Sequence, residues 1–400
     1  DLYRTGLAGS VGGGTVGIGG GIETAIISPT TKAVIGAHAN VDAQQDVIVS
    51  ATGHEDLIGA AAAVGVGVTV GVAGGLTVFD LNSTTAALID TGAVVTAGDN
   101  VVVNADDETR TAMVVGSLAV GATGGGVGLS VGLSLITKDT EAEIADSADI
   151  TALAGGSGVN AYSGTGFSDT AVANGVVVSA NSNESIFTLG IAGGGGLFVG
   201  IAGSVSVQLL DITTLASVGD ATIDDSALNS GANGAQDVVV VARDSSSVAA
   251  IDGGLAIGAG AVAGAVDVGI LRNSTEATIA DGATINAKDR VEVAGLQNTG
   301  VQSTVVSAAG GLIGIAAGVS VYSIGDGLAP DSSGSDNLKS SDGGSVSDYA
   351  SGQLNSGTLD IVLSASSNSD VQDTNSKAQA ARNAVNLDAQ CRARVRATTR

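Results

Sequence analysis

Over long stretches of this chain, apolar side chains occupy every second position, as at Val64, Val66, Val68, Val70 and Val72, or at Val127, Leu129, Val131, Leu133 and Leu135. A period of two is that of an extended strand, whose side chains point alternately to opposite faces. Six Gly-rich apolar stretches carry the pattern: 6–27 and, approximately, 58–79, 111–136, 187–210, 251–271 and 307–324. Each has one Val/Leu/Ile face and one Gly/Ser/Ala face. A Gly face predicts close approach by a second backbone, so each repeat is expected to contribute one or two long, tightly packed strands.

Between these stretches three short modules recur in order, all present in TEATIADGATINAKDRVEVAG at 275–295. The first, TxAx[IV], begins at Thr31, Thr85, Thr140, Thr214 and Thr275. The second, Ax[IV]xA, begins at Ala39, Ala93, Ala148, Ala221 (whose last position departs) and Ala283. The third, [VI]x[VL]x[AG], begins at Val47, Val101, Val176, Val238 and Val291, and again, without its two predecessors, at Ile361. Self-similarity at 53 to 75 residues marks a repeat protein. The variation in period comes from two insertions at the same phase of the repeat, 153–175 and 226–236. Insertions confined to one position map to loops leaving one corner of a stack, and such loops are where variable function is expected.

The modules can be oriented. Lys32, Glu141, Glu143 and Glu276 fall between the fixed positions of the first module, so those positions face solvent and the Thr, Ala and Ile/Val share the buried face. Stacked copies would then align like residues in ladders. After each third module comes a polar segment: TGHED, DDETR, NSNES, RDSSS, LQNTG, SSNSD. Loop-favouring residues at a constant phase predict a corner there. The expected fold is an elongated all-β solenoid (β-helix) of five repeats over 1–324. A Ser/Gly/Asp-rich loop or linker follows at 325–357, then a partial sixth repeat at 358–376 and a basic, poorly ordered tail at 377–400.

Composition agrees with a thin core. The chain has 62 Gly, 4 Tyr, 4 Phe and no Trp among 400 residues, too few large rings to fill a compact globule of this size. Its net charge of -25 argues against nucleic acid, which is bound through Lys and Arg. The single Cys391 excludes a disulfide framework and a Cys-based zinc cluster. The start at Asp1, without Met or a signal-like segment, reads as an excerpt from a longer polypeptide. Membrane helices are disfavoured by the strand period, by Gly at about 1 kcal/mol per helical position, and by flanks without Lys/Arg bias. Membrane barrel strands would bring aromatic girdles, which are missing.

Candidate chemistry is sparse. His38 and His54 lack metal-ligand spacing, and GLSVG at 128–132 matches the GxSxG elbow by letter only, inside a strand-like run. Carboxylates cluster at Asp106, Asp107 and Glu108, weak calcium candidates at an expected corner, and more loosely at Asp224 and Asp225 and at Asp331, Asp336 and Asp342. No catalytic residue and no other cofactor is expected. The Thr column is assigned inward, bonding to itself or to backbone, rather than outward as a binding face.

Over about residues 6–325, the 275–295 pattern preceded by alternating Gly/Ala/Val runs resembles the repeat regions of very large bacterial surface adhesins, the filamentous-haemagglutinin-like and leukotoxin-like filamentous adhesins. The resemblance implies a non-catalytic β-helical stalk, secreted or attached at the bacterial cell surface. Export by an autotransporter or two-partner route is implied too, with a host-surface or glycan ligand, or neighbouring cells, as partners. Two rivals stand beside it: a β-helical polysaccharide-active enzyme, and a Gly-rich membrane-embedded protein.

Overall fold

Alternation over some twenty residues is realised as strands of that length. The computed structural model describes residues 1–225, 229–325, 328–330 and 338–340. Among these the fold is all-β, without an α-helix, and single strands reach 26 residues in Leu2–Ile27 and 43 in Val47–Ile89. The chain divides into two compact units, Asp1–Gly325 and Asp326–Arg400. In the second, Leu328–Pro330 pairs antiparallel with Leu338–Ser340. The module at Ile361, the partial repeat 358–376 and the tail 377–400 lie outside the described residues.

Each sequence repeat of the first unit supplies three strands. An outgoing strand starts in the third module, a return strand ends in the first module, and a short strand carries the second. In the third layer these are Val101–Gly121, Gly125–Ile144 and Asp149–Ala152. The remaining outgoing strands are 2–14, 47–67, Gly175–Gly196, Asp237–Ile257 and Arg290–Gly310, so the unit has six layers. Every long strand pairs in parallel with its counterpart one repeat further on.

The repeats stack in strict register. Thr31, Thr85, Thr140, Thr214 and Thr275 form one ladder, as do Val47, Val101, Val176, Val238 and Val291. Val41, Val95, Ile150, Ile223 and Ile285 form a third in the five-stranded sheet of short strands. The inward orientation of the Thr, Ala and Ile/Val positions holds: Thr85, Ala87, Ile89, Thr140, Ala142 and Ile144 are fully buried.

Between outgoing and return strands the chain reverses without a hairpin. The 43-residue strand Val47–Ile89 shows this: residues 47–67 pair with Val101–Gly121, whereas 70–89 pair with Gly125–Ile144. The two arms face each other through side chains, and their backbone ladders run only to the neighbouring layers. The eleven-stranded parallel sheet therefore curls back on itself through an arch at each repeat, near 68–69, 122–124, 197–198, 258–259 and 311–312.

The expected corners after the third module prove to be strand. TGHED, DDETR, NSNES, RDSSS and LQNTG all lie inside outgoing strands, and SSNSD lies outside the described residues. The turns lie elsewhere, between first and second modules at 36–39, 90–93 and 145–148, with backbone bonds such as Ala93 N to Asp90 O, 3.2 Å. A run of polar residues suggests a loop only if its side chains all reach solvent, and here every second one points inward.

The interior changes character from the short strands toward the arches. First comes an apolar core of Val, Ile and Ala contributed by all three strand types. Next is a stratum of buried polar and charged groups, then a plug of larger side chains including Leu57, Phe79, Leu81, Met113, Ile136 and Leu210. Last is a zone filled by Gly and Ala. There the two arms come so close that a Cβ on Gly65 would overlap the carbonyl of Val72, and one on Gly126 the carbonyls of Ala119 and Gly195. The expected approach of a second backbone to the Gly face is thus met by the return arm and its neighbours.

Candidate functional site

Asp106, Asp107 and Glu108 do not converge. They are consecutive in Val101–Gly121, so the pleat sends Asp107 into the interior and its two neighbours to the outer face. Asp106 accepts a hydrogen bond from Asn181 Nδ2, and Glu108 lies 3.4 Å from His54 Nδ1 and pairs with Arg110. Among the described residues no group of three or more His, Cys, Asp or Glu is placed to hold a metal. Asp224 is buried and accepts the amide of Ala152 at 2.8 Å, while Asp331, Asp336 and Asp342 lie outside the described residues. His38 occupies a turn with φ of 59°. In GLSVG, Ser130 is buried in a strand and donates to Ile191 O at 2.6 Å, with no elbow around it.

The densest chemistry is in the buried polar stratum. Lys138, fully buried on a return strand, places Nζ 3.1 Å from Asp107 Oδ1, 2.9 Å from Glu184 Oε1 and 3.3 Å from Asp107 O. Glu55 and Asp244 extend the column into the layers on either side. Hydroxyls complete it: Ser83 and Thr85 donate to Asp107 at 3.0 and 2.9 Å, Thr109 to Glu55 at 3.0 Å, and Ser246 to Glu184 at 2.8 Å. Thr85 thus bonds to a carboxylate rather than to other Thr or to backbone.

Register keeps like charges apart. One row across the outgoing strands reads Gly53, Asp107, Ser182, Asp244, and the next reads Glu55, Thr109, Glu184, Ser246. Acids alternate with small or hydroxyl residues in both rows, so no two acids pair directly, an arrangement that would be destabilising.

One ammonium cannot neutralise four carboxylates, and the proton affinities diverge accordingly. Burial opposes ionisation of Asp107, but Lys138 and its hydrogen bonds outweigh it and hold that carboxyl below its usual range. Burial would discharge Lys138, yet Glu184 and Asp107 hold its pKa above the ordinary lysine value. Glu55 is pushed up to about 7 by burial and then by the charge of Asp107, and Asp244 to about 7 by burial and then by Glu184. Burial also raises Asp224 to about 7. Nearer the arches, Asp252 accepts from Ser204 and Ser206, both at 2.7 Å, and burial raises it to about 6.

These shifts fix a pH dependence. The four raised acids bind protons more tightly folded than unfolded, so their effect on stability is most favourable below the unfolded carboxylate pKa near 4 and is lost as pH rises through about 7. Asp107 acts oppositely, losing its stabilising effect as pH falls below about 4, while Lys138 loses its own only above about 10. The melting temperature should therefore fall between pH 5 and pH 8, by on the order of 5 °C. Thermal unfolding followed by circular dichroism tests this, and Glu55→Gln with Asp244→Asn should flatten the slope. A melting temperature that rises from pH 5 to pH 8 would contradict the assignment.

The two insertions are built structures. Residues 159–173 form an antiparallel hairpin, Val159–Tyr162 with Thr170–Ala173, and its apolar side packs on Val177, Val239, Val241, Ala294 and Leu296 of the outgoing strands. Arg243 lies 4.5 Å from the Tyr162 ring centroid and 4.1 Å from that of Phe167, and donates to Phe167 O at 2.9 Å. The hairpin covers the outward Val177, Val239 and Val241, which are 3%, 1% and 1% exposed, whereas the outward Ile48 of the second layer is 64% exposed. In the second insertion Asn229 and Gln236 are buried and bonded to each other, and Gln236 donates to Ala152 O. Residues 226–228 lie outside the described residues.

Sequence reasoning missed the buried stratum, although a signal for it exists. Glu55, Asp107, Glu184 and Asp244 are each an even number of residues beyond the buried alanines 51, 105, 180 and 242, which puts them on the same inward face. The geometry defines an all-β fold of parallel strands with an ionic interior. No protein-family model matches the chain, and neither a curated protein nor a solved structure matches it.

Proposed function

We propose that the repeats form a β-solenoid with one wide layer per repeat, and that it serves as the stalk or repetitive body of a secreted or surface-attached bacterial adhesin without catalytic activity. The observation that carries this reading is the in-register stacking of one sequence repeat per layer, with outward elaboration confined to one corner. Such a stack lengthens by repetition without altering its cross-section, which suits a stalk. The resemblance at 275–295 and across 6–325 supports the same class. At about 3.3 Å per residue a 21-residue strand spans about 70 Å, whereas six layers at about 4.8 Å rise only about 29 Å. Elongation along the stacking direction therefore needs more repeats than these.

Attachment is assigned to the corner insertions, with a host-surface or glycan ligand. Beads coated with the 400-residue chain are expected to adhere to epithelial cells. Replacing 156–172 by a short Gly/Ser linker should cut adhesion by about tenfold while the strand-type circular dichroism is retained. Adhesion no greater than that of beads coated with an unrelated acidic protein would overturn the reading, as would release of sugars from a polysaccharide by the purified chain.

A further inference from the structure

The arch-side half of the first unit is apolar on its outside. In the second to fifth layers, outward positions from Ile58, Ala112, Phe187 and Ala249 to the arch carry only Val, Leu, Ile, Phe, Ala or Gly. The return strands repeat this, the third layer presenting Val127, Leu129, Val131, Leu133 and Leu135. Leu118, Leu129, Ile191 and Leu255 are each about half exposed, at 49%, 50%, 52% and 52%.

The boundary is sharp and in register. On the outgoing face the next outward row reads Asp56, Arg110, Ser185, Ser247, and on the return face Asn82, Thr137, Asp211, Arg272. Asp80 stands a single outward step inside that line. The arch residues are themselves uncharged, including Val68, Leu197 and Phe198. In the first layer Leu7, Val11, Ile18 and Ile22 continue the band beside Thr5 and Thr24, and in the last layer Gln302 and Thr304 interrupt it.

We propose that this arch end inserts into the hydrocarbon of a lipid surface. Three features select lipid over a second copy of the chain. Each face of the band covers roughly 600 Å² by strand spacing, comparable to one partner's share of a stable interface, about 800 Å². Two such faces lie back to back, so a copy seated on one leaves the other bare and no closed dimer covers both. The apolar surface also continues around the arches, and only an occupant that wraps an edge covers both faces and the tip. Finally, the band is about ten residues deep, about 33 Å at 3.3 Å per residue, close to the hydrocarbon thickness of about 30 Å. The acidic flank at Asp56, Asp139, Glu141 and Asp211 favours zwitterionic over anionic headgroups. Among the described residues no helix is long and apolar enough to cross a membrane, so this contact is made by strands.

The test uses the full chain with phosphatidylcholine vesicles. The protein should float with the vesicles, and Leu118→Glu, Ile191→Glu and Leu255→Glu together should reduce flotation by at least about tenfold, since each places a carboxylate in hydrocarbon. Asn183→Glu, Ser185→Glu and Ser247→Glu add the same charge outside the band and should float like the parent. The chain has no Trp, so Leu129→Trp provides a single reporter that brominated acyl chains should quench. That readout stands even if the triple variant within the band fails to fold. Absence of flotation and quenching overturns the proposal. So does concentration-dependent self-association that the band variants abolish without any vesicle binding, which would assign the surface to a second copy. Adhesion through the corner insertions is read separately and can fail or survive independently.

Discussion

Lys138→Met is expected to destabilise the Asp1–Gly325 unit by about 3–5 kcal/mol, the range found when one partner of a buried ion pair is removed. Methionine fills similar volume without creating a large cavity, so the loss comes from charge. Lys138 is fully buried between Asp107 and Glu184, and nothing at that depth replaces its three donors. With the ammonium gone, both carboxylates must protonate or unfold their surroundings, and Glu55 and Asp244, raised to about 7, add no cation to compensate them. The expected result is a lower urea midpoint, with faster hydrogen exchange concentrated in 101–121 and 125–144. Adding Asp107→Asn and Glu184→Gln should recover much of the loss, because neutral amides need no counter-ion. A single variant indistinguishable from the parent would mean that the column is not ionised as described.

The second large effect separates two glycines of the same layer. A methyl group on Gly126 would overlap the carbonyl oxygens of Ala119 and Gly195, both backbone, so relief requires the arms to separate. Gly116→Ala meets nothing within 4 Å. Gly126→Ala is expected to cost about 3 kcal/mol, at the upper end of overpacking effects. Gly116→Ala should be neutral or stabilising by up to about 1 kcal/mol, through the less flexible unfolded chain. Urea denaturation of the two variants side by side decides it. Equal effects would show that the arms are not in backbone contact.

Much of the architecture was legible in the sequence because it depends on parity and phase. The ladder from Thr31 to Thr275 and the inward face of the first module follow from which positions tolerate Lys and Glu, and the structure places them so. The insertions 153–175 and 226–236 were located by phase alone. What failed was the inference from polarity to turn. Asp106 to Arg110 reads as a loop because an isolated strand would not bury Asp107, and only the return strand brings Lys138 beside it. That contact joins residues about thirty positions apart across two faces, and no local pattern encodes it. Asp106, Asp107 and Glu108 were likewise grouped by adjacency, which in an extended strand separates side chains rather than gathering them. Parity counted from Ala105 would have divided the three acids correctly.

The corner that follows each short strand admits very different lengths of chain. Three residues, 98–100, join Val94–Ala97 to Val101–Gly121 in the third layer, whereas a hairpin-bearing segment joins Asp149–Ala152 to Gly175–Gly196 in the next, and the ladders on either side keep their register. The stack therefore behaves as a display frame, in which foreign peptides can be grafted at successive corners with a spacing set by the rise between layers.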